Sequence, residues 1–337
     1  MSLEPSYSHI YVETGAEDYP FARTLLEKFP RARVINVRDY KEVFNRPNQD
    51  FGLQKQSPKL ILAVKKDQFL YDGSRFVQDS NNQNFFYNAL SLNCPYDCAY
   101  CYLQGMYNSA NQVCFVNLED FFSAAEQAIQ TRPDPTHPLY LCISYDTDLL
   151  GFESIAPYCR EWIEFCRGRA GELLIEIRTK SANFSALADL PAEPGVILAW
   201  SLSPEEVCQR YERKTPSLKS RLKAMAQAVQ AGWQVRLCID PILPIENWEA
   251  CYRELVDIIF MEIKTEALLD AHLGVFRMST DFFSNARKRR PTEAMFYRPW
   301  KREMGTITHP ADEREVLTDY VKTLLAKRLP PEKIRIW

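Results

Sequence analysis

Three of the ten cysteines in this chain stand together in Asn93-Cys94-Pro95-Tyr96-Asp97-Cys98-Ala99-Tyr100-Cys101-Tyr102, at C-x3-C-x2-C spacing. Three thiolates this close can hold one face of an iron-sulfur cubane and leave its fourth iron without a protein ligand. An open iron of that kind can chelate the amino and carboxylate groups of S-adenosylmethionine. It can then deliver one electron to the sulfonium, which breaks a carbon–sulfur bond and yields a 5′-deoxyadenosyl radical. A zinc site would need a further Cys or His nearby, and the next candidates along the chain are Cys114 and His137. The expected cofactors are therefore a [4Fe-4S] cluster on Cys94, Cys98 and Cys101, and S-adenosylmethionine.

Something must position that loop. The chain has 337 residues, of which 46% are hydrophobic and 25% charged, enough to bury a sizeable core and unlike a disordered or low-complexity chain. The net charge of −3 offers no global attraction to nucleic acid, so any such contact must come from a local basic patch. No apolar run approaches the ~20 residues of a membrane helix, and the polar stretch Ser2 to Ser8 lacks a signal-peptide core. The expected location is cytoplasmic, with no membrane partner and a monomeric state. In that compartment cysteines stay reduced and are read first as metal ligands.

The segment from His9 to Val37 reads as strand, helix, strand, with the helix over Pro20 to Phe29 carried by Phe21, Leu25, Leu26 and Phe29. Asn45 to Ser57 reads as a polar connector and Leu60 to Val64 as another strand. A boundary at about residue 80 divides a small N-terminal α/β domain (1–80) from the main domain (81–337). Strand patterns then recur at Phe86 to Leu92, Leu139 to Tyr145, Leu173 to Arg178, Val196 to Leu202, Val235 to Ile239 and Ala271 to Phe276. Helical patterns fall at Leu118 to Gln130, Ile155 to Arg167, Ser217 to Ala231 and Trp248 to Phe260. This alternation predicts an α/β fold with a partial (β/α)6 barrel of the TIM type, whose functional residues cluster at the C-terminal ends of the strands. A last helix is expected over Asp312 to Arg328, with Asp312 as N-cap and Glu315 at N3.

The sequence resembles the spore photoproduct lyase family of the radical S-adenosylmethionine superfamily over most of its length. The resemblance rests on Cys98-Ala99-Tyr100-Cys101-Tyr102-Leu103-Gln104, followed by Val116-Asn117-Leu118-Glu119-Asp120-Phe121-Phe122. Further matches are Asp148-Leu149-Leu150-Gly151, Thr179-Lys180, Ser201-Leu202-Ser203, and Gly232-Trp233 through Asp240-Pro241-Ile242 to Trp248. The resemblance implies a DNA-repair lyase that splits a methylene-bridged thymine dimer after the deoxyadenosyl radical takes a hydrogen from one thymine. A one-electron reductant such as flavodoxin or ferredoxin would serve it, and DNA carrying an ultraviolet thymine dimer would be its substrate. By position it implies Tyr100, Thr147, Lys180 and Ser201 at the cofactor, with Tyr100 and Tyr102 helping to return the radical.

One feature departs from the family pattern. The family's hydrogen donor is a cysteine three residues before the aspartate of D-x-x-G, and here Tyr145 stands there. The nearest thiol, Cys142, lies three residues further back, about 10 Å along an extended strand. Tyr145 has the position. Cys142 has the chemistry, since a thiol yields hydrogen readily, and the alternation Tyr140, Cys142, Ser144 puts a polar face on its strand. The departure also leaves room for a radical enzyme acting on another nucleic acid lesion, a nucleotide or a peptide. A non-catalytic, metal-containing nucleic-acid-binding protein is the alternative from a different class.

Two basic runs could meet DNA: Arg287-Lys288-Arg289-Arg290 and Arg298-Pro299-Trp300-Lys301-Arg302. Aromatic residues interleave the second, as in elements that stack beside an extruded base. Arg298, Trp300, Lys301 and Arg302 are the candidate contacts there, in a region where the family has a hairpin, and Arg277 is the candidate for the lesion pocket by its match to a family arginine.

Overall fold

Apolar runs buried on both faces form parallel sheets with helices packed outside them, and the central part of the chain folds this way. The computed structural model describes residues 7–73 and 82–337. Its main sheet runs, in spatial order, Tyr71–Asp72, β1 (Phe85–Tyr87), β2 (Leu139–Cys142), β3 (Leu173–Thr179), β4 (Val196–Ser201), β5 (Gln234–Ile242), β6 (Leu268–Val275) and Ile334–Ile336. β1 to β6 are parallel throughout. The outermost strands do not pair with each other among the described residues, so the six parallel strands make the partial barrel that the alternation predicts.

The helices Leu118–Thr131, Tyr158–Cys166, Leu218–Gln230 and Trp248–Glu262 fall close to their expected places. In the first, Leu118, Phe121, Ala125 and Ile129 form the buried face, each large side chain contributing about 1.5–3 kcal/mol by leaving water. The connection from β3 to β4 has only a short 3-10 turn at Phe184–Leu187.

A second sheet orders Arg33–Val37, His9–Glu13, Leu60–Ala63, Gln112–Phe115 and Ser91–Leu92. It shares a hydrophobic core with the barrel helices. Phe21 lies 5.0 Å from Tyr158, ring to ring, and Lys28 Nζ donates to the carbonyls of Ser154 and Ile155. The expected division at residue 80 falls among residues 74–81, outside the described ones.

Three local expectations are corrected. The run Phe86 to Leu92 is not one strand: β1 ends at Tyr87, and Ser91–Leu92 joins the second sheet, antiparallel to Gln112–Phe115. The connector Asn45 to Ser57 contains the helix Phe51–Gln56, whose N-cap Asp50 accepts from Leu53 N at 2.9 Å. The last helix, Ala311–Ala326, has Pro310 at its N-cap and no side-chain cap. Asp312 therefore lies inside the first turn, where its charge opposes the positive end of the helix dipole.

Candidate functional site

The cysteine loop begins where the chain leaves the second sheet. Asn93 takes a left-handed conformation, φ 68°, which asparagine tolerates, and its amide donates to the carbonyls of Ser109 and Asn111 at 2.8 and 2.7 Å. Asp97–Cys98 then pairs antiparallel with Glu212–Arg213, and Ala99 N donates to Tyr211 O at 2.7 Å. Gln104 Nε2 reaches back to Asp97 Oδ1 and Cys98 O at 3.1 and 3.0 Å. From outside the barrel, Arg290 grips Asp97 and Gln104, Arg289 donates to Gln104 O at 2.7 Å, and Lys55 donates to the carbonyls of Cys94 and Tyr96 at 3.4 and 3.3 Å. The helix Thr280–Arg289 approaches so closely that a Cβ on Gly105 would stand 1.9 Å from Phe282 O, so no other residue fits there.

Within this frame the three thiols face a single cavity of about 510 Å³ at the C-terminal ends of the strands. Burial raises the pKa of all three, so any metal centre held there would have to displace their protons. A lone zinc ion needs its donors about 2.0–2.3 Å from one point, and among the described residues no three Cys, His, Asp or Glu side chains are so arranged.

Thr147, Lys180 and Ser201 line the same cavity. Thr147 Oγ1 is buried without a hydrogen-bond partner, which is costly unless a ligand completes it. The residues present thus fit a cofactor carrying polar and carboxylate groups. Lys180 lies 3.5 Å from Glu212 and 5.6 Å from the Tyr100 ring centre. Burial alone would lower the Lys180 pKa; the Glu212 carboxylate outweighs it, and the net shift is upward. Asp148 ties the ends of β2 and β3 together, accepting from Gly151 N, Thr179 Oγ1 and Lys180 N at 2.8, 2.7 and 2.6 Å. A Cβ at Gly151 would meet the Tyr96 hydroxyl at 2.7 Å, so a side chain there would have to displace the Tyr96 ring.

Glu212 escapes sequence reasoning. It is fully buried, accepts from Tyr100 and from Ser203 Oγ, and pairs with Arg221 at 2.5 Å. It lies 112 residues from Tyr100, and no local spacing points to it.

Cys142 and Tyr145 both line the cavity. Cys142 closes β2, paired with Tyr87 and Glu176, and packs with Phe85, Tyr140 and Ile197, with the charges of Glu176 and Arg178 close to its thiol. Tyr145 lies nearer the cysteine loop, its ring 5.7 Å from Tyr102 and 4.3 Å from Tyr87. Tyr102 donates its hydroxyl to Tyr145 O and Asp146 Oδ1 at 2.6 and 3.2 Å. Opposite, Arg277 meets Asp240 at 3.2 Å and lines the cavity.

The expected DNA contacts divide. Lys301–Glu303 and Thr306–Thr308 form a hairpin whose turn residues Met304 and Gly305 both have positive φ, 43° and 79°. Lys301 and Arg302 are exposed, and Met304 is 83% exposed at the tip. Arg298 is held by Glu313 and Pro244 O at 2.8 and 3.0 Å. Trp300 packs against Phe276 and His309, each 4.6 Å away, and donates to Met295 O. It braces the hairpin instead of projecting from it.

The arrangement matches known proteins. A sequence profile described as spore photoproduct lyase matches residues 5–294. Spore photoproduct lyase of Bacillus subtilis (strain 168) is 25% identical over 255 residues, 74% of this chain and 71% of its own length. The Clostridium acetobutylicum protein of the same name is 25% identical over 259 residues, 75% of this chain and 74% of its own. Among solved structures, spore photoproduct lyase complexed with dinucleoside spore photoproduct superposes with a TM-score of 0.81 at 19% identity, over 99% of both chains. A variant of that enzyme with S-adenosylmethionine and the dinucleoside bound gives the same TM-score, identity and coverage. At that identity the superposition shows the shared fold. Among the described residues no helix is long and apolar enough to cross a membrane.

Proposed function

This chain belongs to the spore photoproduct lyase family, and from that premise we propose that it splits a methylene-bridged thymine dimer in ultraviolet-damaged DNA. The observation that carries the reading is one cavity lined at once by Cys94, Cys98 and Cys101, by Thr147, Lys180 and Ser201, and by Cys142 and Tyr145. The three cysteines would hold a [4Fe-4S] cluster. With S-adenosylmethionine bound, that group supplies the deoxyadenosyl radical that removes one hydrogen atom from the lesion. Lys180 meets the cofactor carboxylate through a charge-assisted contact, Thr147 and Ser201 hold its polar groups, and Tyr100, fixed by Glu212, walls the site. Arg277 contacts the lesion. Lys301 and Arg302 on the hairpin meet phosphates as the dimer is turned out of the duplex.

After the bridge opens, one thymine carries an unpaired electron and needs a hydrogen atom. One sequence position and one contact support Tyr145 as the donor: it stands where the family has its cysteine, and its ring neighbours Tyr102. The Tyr145 O–H bond breaks, the thymine gains the hydrogen, and Tyr145 is left as a phenoxyl; hydrogen transfer from the Tyr102 hydroxyl would move the radical to Tyr102, which one electron from the reductant and one proton would restore. Cys142 lines the same cavity and is the alternative donor.

An anaerobic reaction of the reconstituted protein with dinucleoside spore photoproduct, S-adenosylmethionine and dithionite tests both statements. We expect thymine to appear, and Tyr145→Phe to open the dimer yet give abnormal adducts while Cys142→Ala repairs cleanly. The reverse pattern makes Cys142 the donor. Deoxyadenosine formed without loss of the lesion would overturn the substrate and favour the rival reading, a radical enzyme acting on another nucleic acid lesion, a nucleotide or a peptide, to which Tyr145 at the donor position also points. The working form would be a monomer served by a one-electron reductant such as flavodoxin or ferredoxin.

A further inference from the structure

The back of the cysteine loop is basic, and the hairpin and lesion pocket do not account for it. The segments that meet there are 46–55, 97–104, 213–214 and 287–293. They are joined by Arg290 on Asp97, Arg289 on Gln104 O and 4.4 Å over the Phe51 ring, Lys214 on Lys55 O, and Arg213 on Glu293. Together they hold eight cations against the three carboxylates of Asp50, Asp97 and Glu293, in a chain whose net charge is −3. All three carboxylates are already engaged: Asp50 caps its own helix, Asp97 is held by Arg290 and Gln104, and Glu293 by Arg213. The outward charge is therefore positive.

This collar faces away from the substrate. Phe282, near the start of the helix Thr280–Arg289, lines the active cavity, but none of Arg287, Lys288, Arg289 and Arg290 does. At 1.5 Å per residue Lys288 stands about 9 Å further along the helix. Arg289 instead lines a separate cleft of about 430 Å³ with Arg46, Phe51 and Asn108. Arg46, Arg287 and Lys288 are exposed, whereas Lys55 and Gln104 reach inward to the carbonyls of Cys94 and Cys98. The collar is thus in direct contact, through Lys55 and Gln104, with the backbone of two of the three cysteines.

We propose that this basic collar is the docking surface for an acidic one-electron carrier protein. The inference rests on the proposed chemistry, which consumes one electron at the cysteine loop. The carrier is oxidised by one electron and the cluster reduced by one; no bond forms and nothing else leaves. Complementary charge raises the encounter rate and fixes the docked orientation, while the front of the pocket stays open to DNA.

The test uses the reconstituted holoprotein with Arg287→Glu/Lys288→Glu, and separately with Arg46→Glu, none of which touches the active cavity. Binding of flavodoxin or ferredoxin is measured directly by titration calorimetry, a readout that does not depend on turnover. We expect affinity for the carrier to fall about tenfold or more at low salt, with a weaker salt dependence. Cofactor cleavage driven by dithionite and affinity for duplex DNA should be unchanged. Unaltered carrier affinity in both variants would overturn the proposal. So would loss of DNA affinity with carrier binding intact, which would make the collar a phosphate-backbone site. Failure of lesion repair in the unmodified protein would instead defeat the proposed function and leave the binding result standing.

Discussion

The floor and the mouth of the barrel both bury polar side chains, and they treat them in opposite ways. On the floor, Glu176 accepts from Tyr140, Arg236 and Arg178, and Arg236 makes two further bonds to Asp270 at 2.6 and 2.8 Å. His272 stands 3.4 Å from Asp270. The carboxylates there are paired with arginines, although both ring nitrogens of His272 lack a hydrogen-bond partner. At the mouth, Thr147 Oγ1 has no partner, the three thiols face open space, and Lys180 and Ser201 line the same void. A buried polar group left without a partner costs stability, so the orphaned Thr147 hydroxyl beside the three thiols marks the mouth as a place that a ligand completes.

The sharpest way to break this contrast is at the thiols. Replacing any one of Cys94, Cys98 or Cys101 by Ala should abolish cluster binding and cofactor cleavage while the fold survives, because two thiolates cannot hold a cubane with one open iron. Iron analysis and circular dichroism of each variant check this. A single-alanine protein that still held four irons would remove the cluster assignment.

The floor should respond in the opposite sense. Arg236→Met removes the arginine that buried Glu176 and Asp270 share, leaving Glu176 with Arg178 as its cation, and should lower stability by about 3–5 kcal/mol with the cluster still assembled in whatever protein remains folded. Urea unfolding reads the loss; a change below about 1 kcal/mol would show that the network closes without Arg236.

The same network predicts an acid limb. Burial alone would raise the Glu176 carboxyl; Arg178 and Arg236 outweigh it and hold it at about 2, below its ordinary 4.5. A depressed carboxyl gives stability that is complete above pH 4.5 and is lost as pH falls toward about 2. Melting temperature followed across that window should fall steeply in the natural protein and less steeply in Glu176→Gln.

At the mouth the smallest effect belongs to Lys180→Ala. It should weaken S-adenosylmethionine binding by about 1.5–3 kcal/mol, the range of a hydrogen bond to a charged group, with iron content unchanged. Since Lys180 also neighbours Glu212, Lys180→Arg should recover part of the affinity. An unaltered dissociation constant in the alanine variant would place the cofactor carboxylate elsewhere.

The two basic runs show where reading from sequence stops. They look alike in the chain, yet Arg289 and Arg290 turn inward to clamp Gln104 and Asp97, while Lys301 and Arg302 stay exposed on a hairpin. Trp300 sits in the second run and braces the fold by packing on Phe276 and His309. Whether a charge is solvated or paired depends on which distant backbone it meets, and spacing carries no record of that.

What the sequence by itself determined is local and periodic. The C-x3-C-x2-C loop, the strand and helix alternation behind the partial barrel, and the polar face Tyr140, Cys142, Ser144 all follow from periods of 2 and 3.6 or from ligand spacing. Tertiary structure alone decided that Glu212 anchors Tyr100 from 112 residues away, that the helix Phe51–Gln56 brings Lys55 beneath the cysteine loop, and that Tyr145 lies beside Tyr102 while Cys142 packs with Phe85 and Tyr140. These contacts join segments far apart in the chain, and their energy comes from burial and pairing that exist only once the sheets have closed around them.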